Sequence, residues 1–244
     1  MKFYKLAAVM GGLAATITGC ATPSNPELPF DRAQSGNPHV IGLVKPAVPE
    51  HASAPIPVGS AGGIAGLLIA GTVAVMRSNR ESSLETIVQS NHFSFADQFH
   101  TSIVATLVAE GYTVKEIDLK RDGLKPISAA TIAGRNDLGV DAVLDISVGG
   151  YGYVAASQSD DAPYRPYVIA SAQLLPVGGA DTVLMKDTVV YNPFNNPKSV
   201  VSIPPDPQYN FVHFGDIEAN PTSAVQGMSV AADQTGQALA RLLR

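Results

Sequence analysis

Cysteine occurs once in the 244 residues, at position 20, and tryptophan does not occur. A lone thiol has no partner within the chain, so the fold must hold by packing rather than by disulfide cross-links. Charge is sparse as well: 16 basic and 21 acidic side chains give a net −5, with no run of Lys and Arg. That argues against nucleic acid as a partner, because its backbone calls for a basic footprint. Catalytic signatures are missing too. No G-x-S-x-G surrounds a serine, and the glycines near Ser60 run into an apolar stretch without the Lys-Ser/Thr ending of a phosphate loop. The histidines are His39, His51, His92, His100 and His213, and none forms an i, i+4 pair. His92 and His100 lie eight apart, but no third metal ligand is indicated. Asp160 and Asp161, with Asp145, make an acidic group that a solvated loop explains without chemistry. The expectation is a non-enzymatic protein with no cofactor and no metal.

What is present begins at the start of the chain. Lys2 and Lys5 are followed by an apolar run over residues 6–15, and then by Ile17-Thr18-Gly19-Cys20. This order of basic, apolar and small residues closed by a cysteine resembles a bacterial lipoprotein signal. The resemblance implies cleavage after Gly19, lipid on Cys20 and membrane attachment made durable by several acyl chains. Ala21 stands where an inner-membrane retention signal places Asp, which implies the outer membrane, with the protein facing the periplasm. Loss of residues 1–19 removes two lysines and no acid, leaving a net charge of −7. Residues 20–38 hold four prolines and few apolar side chains, so they read as a lipidated tether. Residues 39–244 read as one periplasmic domain.

The spacing of apolar residues predicts a strand at 39–44 and a Pro-rich loop to residue 57. Residues 60–76 contain no charge, and Gly62, Gly66, Ala70 and Ala74 recur at i, i+4. That small-residue stripe lets helix backbones approach closely. It suits helix packing within the domain, or else oligomerisation or bilayer contact, with a helix continuing to about residue 90. A second helix follows Ser94, with Phe95, Phe99, Ile103 and Leu107 four apart and Gly111 as its stop. A strand at 112–117 and a short helix at 128–138 come next. In the strand from 141, Ala142, Leu144, Ile146 and Val148 take one face and Asp145 and Ser147 a wet one, while Gly149, Gly150 and Gly152 mark a bend or bulge. Strands at 164–177 and 182–191 complete a three-strand meander. Residues 192–220 read as loop, and Pro221 opens a last helix with Met228, Ala232, Thr235 and Leu239 on its apolar stripe.

The predicted fold class is therefore α+β: a mixed, mainly antiparallel sheet with helices packed on one face and an early glycine-rich helix at about 60–90. This element order, with residues 139–148 entering the meander, resembles the periplasmic α/β domain of the curli-secretion lipoprotein (CsgG) group and the amino-terminal domain of TolB. Tyr151, Tyr153, Tyr164 and Tyr167 fall at facing strand ends, where a tyrosine cluster suits contact with a partner. Two functions follow as expectations. One is a membrane-anchored envelope lipoprotein that binds or helps assemble another envelope component. The other is a self-assembling secretion or pore subunit using the glycine-rich helix.

Overall fold

A computed structural model describes residues 28–56, 74–157, 162–178, 182–193 and 200–244, with the backbone alone for 74–77. Its centre is a six-stranded sheet in the order β2-β1-β3-β4-β5-β6. The strands are β1 (Val40–Val44), β2 (Thr113–Ile117), β3 (Ala142–Ala155), β4 (Tyr164–Pro176), β5 (Met185–Tyr191) and β6 (Val201–Ile203). β1 lies parallel to both β2 and β3, whereas β3, β4 and β5 form the expected antiparallel meander. β6 adds a short parallel edge strand beside β5, inside a stretch the sequence reads as loop. Its three residues give too short an apolar run to stand out between prolines.

Helices α1 (Ala74–Ser90), α2 (Phe95–Ala109), α4 (Phe214–Ala219) and α5 (Pro221–Arg241) accompany the sheet. α2 starts where Ser94 accepts a hydrogen bond from the Asp97 backbone N–H, at 3.2 Å. Its face of Phe95, Phe99, Ile103 and Leu107 is buried with Met228, Ala232 and Leu239 of α5 in one core over the sheet. The two helices approach closely because α5 is built from small residues at the contact. A β-carbon on Gly236 would sit 3.1 Å from the Phe99 carbonyl oxygen, and Ser102 donates to the Asp233 carbonyl at 2.9 Å. The expected helix at 128–138 is a single turn, α3 (Ala129–Ile132), and a 3₁₀ turn (Asn136–Leu138). α3 packs with Val44, Ile117 and Leu175 on the opposite face, whereas α4 shares the side of the long helices through Phe214 and Ile217.

Two features depart from the expected organisation. Residues 28–38 are bound to the domain rather than hanging from it. Leu28 pairs with Lys186 of β5, Phe30 packs against the core, and the Arg32 guanidinium lies 4.6 Å from the centre of the Tyr112 ring. This strap passes under the sheet end where β1, β2, β3 and β5 begin, so residues 28–38 belong to the domain. The second departure concerns the chain after β1, which does not part from β3 at Val44. Ala47 pairs with Ser147 and Ser53 with Gly152, so residues 47–55 follow β3 upward. Gly152 has φ +134°, and a β-carbon there would overlap the Ser53 carbonyl, so glycine is required at this crossing.

Candidate functional site

Cys20, Gly19, Gly62, Gly66 and Ala70 lie outside the described residues, as do Asp160 and Asp161; Ala74 opens α1. The four tyrosines are placed, and all are buried, none more than 4 % exposed. One extra residue at Gly149 shifts the register between Val148 and Gly150 and reverses the alternation of β3. Even-numbered residues face the helices before this bulge and odd-numbered ones after it, which carries Tyr151 and Tyr153 inward. Tyr151 stacks on Phe95 with ring centres 4.1 Å apart, and Tyr153 donates to the Ala224 carbonyl at 3.1 Å. Tyr164 joins the same core, edge-on to Phe214, whereas Tyr167 faces the other side and shares a hydrogen bond with the Ser53 hydroxyl. The expected contact surface is thus corrected: these rings fill the interior and do not meet as one cluster. Burial, helped by the charge of Glu85, pushes the Tyr151 phenol up to about 12. Burial also raises that of Tyr153, followed by the influence of Tyr191 and Tyr209.

The wet face expected along β3 is corrected as well. Asp145 is 1 % exposed, roofed by the chain that crosses from β2 to β3. Its carboxylate accepts from Arg121, from the Ile127 backbone N–H at 2.8 Å and from Gln173 Nε2 at 2.9 Å. Gln173 stands opposite Asp145 on β4 and also donates to the Ile127 carbonyl, at 2.6 Å. Arg121 reaches the Ser147 hydroxyl at 3.3 Å. A buried charge survives only when paired and fully hydrogen-bonded, and this group meets both conditions.

Beyond that network, a cleft of about 410 Å³ opens at the carboxyl ends of β1 and β2, walled by Lys45, Pro46, Val48, Asp118, Arg121 and Leu124. The chain leaves β1 toward the long helices and leaves β2 toward α3, so the cleft lies at the switch point where open α/β sheets receive ligands. Its polar lining is one acid and two bases, with no nucleophile beside a base. His51 pairs with Glu85 at 3.0 Å and His100 with Glu116 at 2.8 Å, each with a carboxylate rather than with a serine. Among the described residues no three of His, Cys, Asp and Glu gather at metal-binding spacing.

No family profile and no curated protein matches this sequence. Among solved structures, the crystal structure of lipoprotein GNA1162 from Neisseria meningitidis is similar at 17 % identity, with 66 % of this chain and 87 % of that chain covered and a TM-score of 0.32. So loose a likeness carries no conclusion about this chain.

Proposed function

We propose that the protein is a non-enzymatic lipoprotein of the bacterial envelope, anchored through Cys20, whose domain binds or helps assemble another envelope component. The observation that carries this is the placement of Ile17-Thr18-Gly19-Cys20 only eight residues before Leu28, the first of the described residues and already paired into the sheet. A signal segment standing directly ahead of a folded domain suits cleavage and lipid attachment, because the peptidase and the acylating enzymes need the cysteine free of that domain. No helix among the described residues is long and apolar enough to cross a membrane. Outer-membrane placement rests on Ala21.

Metabolic labelling with radioactive palmitate, followed by membrane fractionation, tests the anchor. Label should enter the protein and sediment with the outer membrane, and Cys20→Ser should abolish both. Unlabelled protein, or Cys20→Ser that fractionates unchanged, would sink the proposal.

A further inference from the structure

The strap decides how an anchored molecule would stand on its membrane. One pole of the sheet gathers the starts of β1, β2, β3 and β5, the end of β4, and the strap itself. The ends of both long helices are there too. Tyr112 donates to the Leu243 carbonyl, and Arg244 bonds Glu110 at 2.6 Å. The fourteen residues of β3 lead away from this pole for about 40 Å. At the opposite pole Tyr164 pairs with Phe211, and the Ala155 backbone N–H donates to the Pro55 carbonyl.

Residues 57–73 are joined to the domain at that opposite pole on both sides. Pro55 lies beside the end of β3, and Arg80 lies over the rings of Tyr164 and Phe214, at 5.5 and 5.6 Å from their centres. The anchor enters at one pole and the uncharged glycine-rich stretch leaves and returns at the other.

Eight residues from Cys20 to Leu28 span at most about 29 Å even when fully extended, which is less than the length of β3. We infer that the pole carrying the strap, the α2–β2 turn and the carboxyl terminus faces the bilayer, and that the pole flanking residues 57–73 points away from it. The membrane-facing surface presents Arg32, Lys186 and Arg244 beside Asp31, Glu110 and Asp141. With the signs balanced, lipid charge adds little, and the short leash sets the orientation. The described residues that flank the glycine-rich stretch then lie on the side away from the anchoring leaflet. This inference rests on lipidation of Cys20.

Two exposed valines report the orientation: Val108, 57 % exposed near the end of α2, and Val212, 61 % exposed at the opposite pole. In the lipidated protein the Cys20 sulfur is consumed, so Val108→Cys or Val212→Cys supplies the single free thiol for a nitroxide label. The full lipidated chain is reconstituted into phosphatidylethanolamine–phosphatidylglycerol vesicles carrying a nickel-chelating lipid, and co-flotation is measured first. Nickel should speed relaxation of the label at 108 several-fold more than at 212. Inserting about twenty Gly/Ser residues between 22 and 23 should bring the two toward equality, since the leash then exceeds the height of the domain. Equal or reversed effects without the insertion overturn the orientation while leaving the anchor standing. Failure to co-float, with Cys20 carrying no lipid, overturns the anchor and the orientation together.

Discussion

The two faces of the sheet are closed by different physics. On one, α2 and α5 lay Phe99, Ile103, Leu107, Met228 and Leu239 over Leu144, Ile146 and Val189, and the contact is mainly apolar, with Ser102 bonded to the Asp233 carbonyl and Tyr153 to that of Ala224. On the other, the crossover from β2 to β3 contains the single turn of α3 and one 3₁₀ turn, and its anchor is the Arg121–Asp145 pair with Gln173 and the Ile127 backbone. A long amphipathic helix covers a sheet by presenting a stripe, so many small contacts add up. A short irregular crossover has no stripe to present, and its backbone groups need partners as they come off the solvent. One buried carboxylate that takes a backbone N–H, an amide and a guanidinium meets that need at a single point. Cover by a helix is distributed, whereas cover by a loop is concentrated.

The contrast can be broken most severely on the helical side. Phe99→Ala empties a fully buried position between the helices and should cost about 4 kcal/mol, read as a shift in the urea midpoint. On the other face, Asp145→Ala should cost about 3 kcal/mol, because it strands Arg121, whose side chain is 11 % exposed, and leaves the Ile127 N–H without an acceptor. The concentrated design is sharpened by the double variant Arg121→Met with Asp145→Leu, which should recover a large part of that loss. If the double variant is no more stable than Asp145→Ala, the pair is not what sets the cost of the single change.

The smallest effect is a pH dependence at the rim between the faces. Asp141 accepts from the backbone N–H groups of Val40 and His39, both at 2.8 Å, and these hold its carboxyl below the ordinary 3.8. A lowered carboxylate pKa stabilises the folded state above 3.8 and loses that contribution as the pH falls through the lowered value. Asp141→Asn should therefore flatten the acid limb of the stability profile below pH about 4 and leave its shape above pH 6 unchanged. An identical acid limb in both proteins would show that the two bonds do not discriminate the charged form.

Much of this architecture was legible in the sequence. The spacing of Phe95, Phe99, Ile103 and Leu107 after Ser94 located α2 to within a residue, and Pro221 marked the first residue of α5. Gly149 and its neighbours flagged the bulge. The candidate site was much less legible. A bulge announces that alternation will change but not which rings it turns inward, so Tyr151 and Tyr153 looked like surface groups and are core. Alternation in β3 likewise took Asp145 for a wet residue, because the pattern of one strand carries no information about a roof contributed by residues 119–127. The strap was missed for the same reason. Residues 28–38 have the composition of a linker, and only their distant partners, Lys186 and Tyr112, bind them to the domain.

By itself the sequence determined the local elements, the likeness of its first twenty residues to a lipoprotein signal, and, with one cysteine, that no disulfide forms within the chain. These depend on neighbours along the chain: helical and strand periods, caps, stops and motif spacing. The tertiary structure alone decided which face of each strand is dry, where the charge of Asp145 is neutralised, and that the strap and residues 57–73 adjoin opposite ends of one sheet. Those properties belong to pairs of residues tens to more than a hundred positions apart, and their energies exist only once the sheet has brought the partners within reach of each other.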